Sequence, residues 1–248
     1  MFRKIASLCS LVLLGTAVSA RASSFTFDAS GSGGDGPLSA TAVFTVSNGQ
    51  IQIVLTNDLS AATIGSVGQS ISDISFFLSN APGTVGTATA TGQQGNIDSS
   101  GKVTYITGSP GRFIGVGGGD YCVNHSDPNC GTNQILLEAI GGSQPNELIF
   151  PTIANGGTYA SLAPGANVHS PYTIGPGTFT LNLSGVTNLT TISDVEFSFG
   201  TGPDTFLPGT RRPPGVPEPS SLMLLGTGIL GAAGLFYRRM SRAELARK

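Results

Sequence analysis

The chain has 248 residues, of which 36 are glycine and only 10% are charged, with no tryptophan and two histidines; about a quarter charged is usual. That composition excludes a coiled coil or helical bundle, which draws on Ala, Glu, Lys and Leu. It also excludes a basic nucleic-acid binder, because no Lys/Arg-rich face exists outside the two ends.

The charge is divided by zone. Residues 1–22 carry +3 from Arg3, Lys4 and Arg21, residues 23–216 carry −8, and residues 217–248 carry +3. An acidic middle between basic ends is expected of a chain that meets membranes only at its termini. Arg3 and Lys4 precede the apolar run Ile5–Val18, which is the pattern of a secretory signal peptide. The expected cut follows Ala22, with Ala20 the alternative, and makes signal peptidase an expected partner. The run is too short for a retained anchor.

From residue 23 to residue 207 the expectation is one all-β core, an antiparallel β-sandwich or jelly-roll-like fold, because short strands alternate with Gly, Pro and Asn turns. The clearest element is a hairpin, Ala40–Ser47 and Gln50–Asn57 around Asn48-Gly49. Asn-Gly favours a two-residue type I′ turn. That turn pairs Ser47 with Gln50, so Val46 faces Ile51, Phe44 faces Ile53 and Ala42 faces Leu55, all apolar and on one face. Further strands are expected at Ser24–Ala29, Ile71–Ser79, Lys102–Thr107, Arg112–Val116, Leu148–Phe150, Thr178–Leu183 and Thr191–Gly200. Gln134–Ile140 is too brief an apolar run to decide between strand and short helix. Thr87, Thr89 and Thr91 would share one strand face, as an exposed polar β-face or a small hydroxyl array.

Cys122 and Cys130 are the two cysteines left after signal removal, and in an exported protein they are expected to form a disulfide. Closing that nine-residue loop would contribute about 2.5 kcal/mol on the chain-entropy model. A cysteine nucleophile assisted by His125 is the sharper alternative and has less behind it. Within the same loop, Asp120, Asn124, Asp127 and Asn129 are oxygen donors that could gather round calcium. Their spacing departs from the Asp-x-Asp-x-Asp-Gly calcium loop, and Asx residues also populate turns for conformational reasons. A stapled surface loop is therefore the simpler expectation, with no cofactor and no other metal site. No Gly-x-Ser-x-Gly, His-Glu-x-x-His, Gly-x-x-x-x-Gly-Lys or Cys-x-x-Cys occurs, so no catalytic residue is assigned and a non-enzyme is expected. Glu138, Glu147 and Glu196 are the candidates for a glycosidase-type carboxyl pair. A sugar platform would have to use Tyr105, Tyr121, Tyr159 or Tyr172.

Residues 208–216 hold prolines and glycines around Arg211 and Arg212 and are expected to be an extended linker. After it come Pro217, Glu218 and Pro219, then a sixteen-residue apolar stretch from Leu222 to Tyr237, then Arg238 and Arg239. As a helix the stretch is about 24 Å long against a hydrocarbon core of about 30 Å. A single transmembrane helix at 222–237 with snorkelling arginines is expected, its basic tail cytoplasmic.

The Pro-Glu-Pro triplet, the glycine-containing helix, the arginine pair and their place at the end of the chain (residues 217–248) resemble the PEP-CTERM sorting signal of Gram-negative bacteria. The resemblance implies processing by an exosortase, with Pro217, Glu218 and Pro219 as the recognition motif, Leu222–Tyr237 as a temporary inner-membrane anchor and Arg238 and Arg239 as the stop. The tail beyond the arginine pair is somewhat longer than the family's usual few residues. The resemblance further implies an exported precursor that ends at the cell surface or in the extracellular matrix, with exopolysaccharide as a neighbour. The expected function is structural or adhesive; a glycan-binding module, with or without calcium, is the alternative, and a divergent hydrolase the third.

Overall fold

The computed structural model describes residues 22–83, 85–110, 133–138, 148–201, 205–213 and 227–228. Contacts divide the chain into two units, residues 1–212 and 213–248. The first is built from strands. In chain order they are β1 (Ser23–Gly33), β2 (Gly36–Ser47), β3 (Gln50–Asn57), β4 (Ile71–Leu78), β5 (Val85–Thr91), β6 (Gln93–Ile97) and β7 (Val103–Pro110). After these come β8 (Gln134–Glu138), β9 (Ile149–Phe150), β10 (Tyr172–Ile174), β11 (Gly177–Leu183), β12 (Ile192–Phe199), β13 (Thr205–Pro208) and β14 (Thr210–Arg211).

Two sheets result. One has six strands in the order β14-β1-β2-β3-β11-β5; the other runs β13-β12-β4-β9-β10-β6-β7, with β8 also paired to β4. The hairpin forms in the expected register: Ser47 opposes Gln50, Val46 opposes Ile51, Phe44 opposes Ile53 and Ala42 opposes Leu55. Gly49 takes φ +78 in the turn, the left-handed conformation for which glycine has no Cβ penalty. The apolar alternation puts Leu38, Ala40, Ala42, Phe44 and Val46 inside from β2, and Ile51, Ile53 and Leu55 inside from β3. They meet the inner face of the second sheet, where Phe44 packs edge-on to Phe76 of β4 with ring centroids 4.9 Å apart. Phe44 also meets Phe27 of β1 at 5.7 Å. Such aromatic pairs add about 1 kcal/mol each beyond the area they bury.

A second cluster of Ile64, Ile97, Val103, Leu148, Phe150, Tyr159, Tyr172 and Ile174 is separate from the main core. Strand β9 explains how: Ile149 joins the main core while its neighbours Leu148 and Phe150 join the second cluster. Two tyrosine hydroxyls fasten the covering segment, Tyr159 Oη donating to the Pro151 carbonyl at 2.6 Å and Tyr172 Oη to the Ala166 carbonyl. Between main-core strands, Asn57 is buried yet satisfied, its Nδ2 donating to the carbonyls of Gln69 and Ile149. Gln69 is held in turn by a capping box with Ser66.

The structure departs from the sequence expectations in several places. The sheets are not wholly antiparallel, because β9 and β10 pair in parallel. Parallel neighbours need a crossover of a dozen or more residues, and residues 151–171 supply it. Residues Gln134–Glu138 are a strand, β8, since Ile135 and Leu137 turn inward in alternation. The inner end of the expected 208–216 linker belongs to the core, as Thr210 and Arg211 pair with β1. The expected strand at Arg112–Val116 lies outside the described residues. Of the helix expected at 222–237, only Thr227 and Gly228 are described, both helical and exposed; among the described residues no helix is long and apolar enough to cross a membrane. The signal peptide also lies outside the described residues.

Candidate functional site: the exit of the chain towards the sorting motif

The residues that lead from the core into the sorting segment form a defined structure. Strand β13 lies in the larger sheet, where Leu207 opposes Phe197 and Pro208 opposes Glu196 of β12. Proline is tolerated there because β13 is an edge strand. One residue later the chain is in the other sheet, with Thr210 opposite Asp28 and Arg211 opposite Phe27 of β1. Gly209 makes the crossing. Its amide donates to the Val195 carbonyl at 2.7 Å, and a Cβ there would lie 3.0 Å from the Phe197 ring and 3.1 Å from that carbonyl. A larger residue would need these neighbours to give by a few tenths of an ångström.

Two arginines then fix the exit. The Arg212 amide donates to the Thr26 carbonyl at 2.8 Å. Its guanidinium grips Asp28 with both prongs, Nε to Oδ2 at 2.9 Å and Nη2 to Oδ1 at 2.7 Å, the fork geometry that favours arginine over lysine. The Thr41 hydroxyl lies 3.0 Å from Asp28 Oδ1 and 2.6 Å from Asp58 Oδ2, and its single proton serves one of them at a time. The hydrogen bonds from Arg212 hold the Asp28 carboxyl below its ordinary 3.8. Both side chains remain open to water, at 59% and 40% exposure, so solvent screening keeps the pair's contribution small. Arg211 stacks its guanidinium 4.8 Å above the Phe25 ring, a cation–π contact of similar size at an exposed site. This latch was missed in the sequence, where Arg211 and Arg212 sat among prolines. The signal that could have found it is Asp28, a lone carboxylate on the outward face of an alternating strand.

The sequence-predicted site residues fall as follows. Pro217, Glu218, Pro219, Arg238 and Arg239 lie outside the described residues, as do Cys122, Cys130, His125 and the calcium candidates Asp120, Asn124, Asp127 and Asn129. Among the described residues no three His, Cys, Asp or Glu side chains gather to hold a metal ion. Glu196 is exposed on β12, Glu138 is on β8 at the other side of β4, and Glu147 is outside the described residues. The tyrosines do not make a sugar platform together: Tyr159 and Tyr172 are buried, their phenols pushed up by burial. Tyr105 is half-buried and gives its hydroxyl proton to the Ile153 carbonyl; Tyr121 is outside the described residues. Asp98 accepts from Ser100 and Lys102, which makes it a turn residue.

Residues 215–239 match the family model of the PEP-CTERM protein-sorting motif. No curated protein and no solved structure matches the chain. The match begins three residues beyond the Arg212 latch. The chain carries a PEP-CTERM protein-sorting motif, which marks it as an exosortase-targeted surface protein made as an exported, membrane-passing precursor.

Proposed function

We propose that the β-sandwich is a non-enzymatic building block of the bacterial cell-surface layer, with a structural or adhesive role in association with exopolysaccharide. The observation that carries this reading is the sorting motif at residues 215–239, since exosortase substrates are surface or extracellular proteins of exopolysaccharide-making bacteria. The core supports it as a self-standing module, with its main cluster closed between two sheets. In this reading Pro217, Glu218 and Pro219 are recognised by the exosortase and the helix at 222–237 holds the precursor in the inner membrane of a Gram-negative cell. Arg238 and Arg239 keep the tail cytoplasmic. Cys122 and Cys130 close a disulfide after export.

The test is fractionation of cells expressing the chain, followed by removal of the gene. The processed form is expected with the extracellular polysaccharide fraction, and cells without the gene are expected to form a weaker, less cohesive layer. An unchanged layer, or processed protein found only free in the medium, would sink the structural role.

A specific observation favours glycan binding as the second reading. Thr89 and Thr91 of β5 are exposed, and they stand opposite Thr180 and Thr178 of β11, which widens the hydroxyl face beyond one strand. Titration of the processed protein with the organism's exopolysaccharide, with calcium and with chelator, separates the readings. Saturable binding supports the glycan module, and its loss in chelator would show an ion site, with the Asp120–Asn129 loop the first place to mutate.

A further inference from the structure

The strand directions bring the two ends of the core to one end of the sandwich. β1 starts at Ser23, the first residue after the expected signal cut. The chain leaves at Arg212, running antiparallel to β1 with its amide on Thr26, three residues from Ser23. The described loops at this end are the Asn48–Gly49 turn, residues 79–83 after β4 and residues 184–191 between β11 and β12.

These loops are stitched into one platform. Ser23 Oγ donates to the Asn188 carbonyl at 2.6 Å, and the Asn188 amide donates to Asn48 Oδ1 at 2.9 Å. The Gly49 amide reaches the Val186 carbonyl at 2.8 Å. Asn80 Nδ2 donates to the Gly185 carbonyl at 2.6 Å, and Thr190 Oγ1 donates to Asn80 Oδ1 at 2.7 Å.

Charge and polarity set this platform apart. None of the residues 23–24, 48–49, 79–83 and 184–191 is charged, although residues 23–216 carry −8. The opposite end presents Asp35 in the β1–β2 turn and Asp58 after β3, both exposed. At the tip of the uncharged end Leu189 is 82% exposed, the most exposed of the large hydrophobic side chains described.

We propose that this end of the sandwich faces the membrane while the precursor is tethered, and seats on the lipid surface with Leu189 at the headgroup level. The inference rests on the reading of residues 222–237 as the temporary anchor. An anionic leaflet attracts basic groups and repels carboxylates, so of the two ends the one whose described loops carry none is favoured; Asp194, exposed on β12, is the first carboxylate behind those loops. One leucine would not hold a free protein on a bilayer. Here the chain supplies the tether: nine residues lie between Arg212 and Leu222, and the ten steps from one to the other have a contour of at most about 36 Å. A tether of that reach turns a weak contact into an intramolecular one at high effective concentration.

The absence of tryptophan provides the test. Leu189→Trp in the full chain places a single indole at the tip, on a side chain whose exposure makes the change harmless to the core. Gly34→Trp places one at the opposite end, where an added Cβ meets nothing within 4 Å. The eleven-residue β1 separates the two sites by about 36 Å. Each variant is reconstituted with phosphatidylethanolamine–phosphatidylglycerol vesicles that contain lipids brominated near the headgroup. Co-sedimentation is measured first, then emission. The expected result is co-sedimentation of both, with loss of emission and a blue shift for Leu189→Trp alone. Co-sedimentation without quenching of Leu189→Trp, or with equal quenching of both, would overturn the proposed seating and leave the anchor intact. A chain that stays in the supernatant would overturn the anchor reading and the seating with it.

Discussion

The β2–β3 hairpin and the closing strands β13 and β14 are both antiparallel additions to a sheet, yet they are specified by opposite means. β2 and β3 are neighbours in sequence around Asn48–Gly49, and their inward positions from Leu38 to Leu55 are apolar throughout. β13 and β14 are four and two residues long, lie one in each sheet, and find their place across a separation of 184 residues between Asp28 and Arg212. The first pair needs only its own sequence to set a register. The second has almost no alternation to read and is positioned by Gly209, by the carbonyls of Val195 and Thr26, and by the arginine latch.

The largest effect is expected inside the hairpin. Phe44 is fully buried and touches Phe27 and Phe76, so Phe44→Ala removes contacts to both sheets and leaves a cavity. A loss of about 3–5 kcal/mol is expected, read as a lower urea midpoint of the full chain. A loss near 1 kcal/mol would mean that the hairpin contributes locally and the sheets do not depend on it. Gly209→Ala is the matching test of the closing strands. Its Cβ would be forced against the Phe197 ring and the Val195 carbonyl, and overpacking of this kind costs about 1–3 kcal/mol. Limited proteolysis should cut first near residues 205–213. If Gly209→Ala costs as much as Phe44→Ala, the closing strands are integral to the core and the contrast drawn above fails.

How much was legible follows from the same contrast. The hairpin register and the strands at Ile71–Ser79 and Thr178–Leu183 could be read because residue pattern and turn chemistry act within a few residues. Arg211 and Arg212 could not, because the residues that hold them, Asp28, Phe25 and Thr26, are far off in sequence. Ile71-Ser-Asp and Ile192-Ser-Asp show the limit most clearly. Asp73 is buried in register opposite Ser198, accepting from Ser72 Oγ at 2.7 Å, whereas Asp194 is exposed at φ +47 where β12 bulges. The same three letters serve a buried pairing and a surface kink. The sorting motif was legible for another reason: exosortase recognition acts on a contiguous segment, so its chemistry is written in order along the chain.

A smaller effect separates turn chemistry from packing. Gly49 has φ +78 and open space where a Cβ would project. Gly49→Ala therefore costs only the left-handed backbone, about 1–2 kcal/mol, with the urea slope unchanged. A larger loss accompanied by a changed slope would show that the hairpin has slipped register, and that the turn sets the pairing more than the apolar face does.

The smallest effect concerns the latch, and pH isolates it. Arg212 holds the Asp28 carboxyl below 3.8, so the pair's contribution is whole above the unfolded carboxylate's value and is lost as pH falls through the lowered native one. Because both side chains are substantially exposed, the amount is small, below every effect named before it. Asp28→Asn should lower stability by that amount at neutral pH, and by progressively less as the medium is acidified below 3.8, until variant and parent coincide. High salt should shrink the neutral-pH difference in the same way, since exposed pairs are screened. If the difference persists unchanged in acid, Asp28 matters through packing on Thr41 rather than through charge. The exit of the chain would then be held by Gly209, the two backbone hydrogen bonds and the Arg211–Phe25 contact.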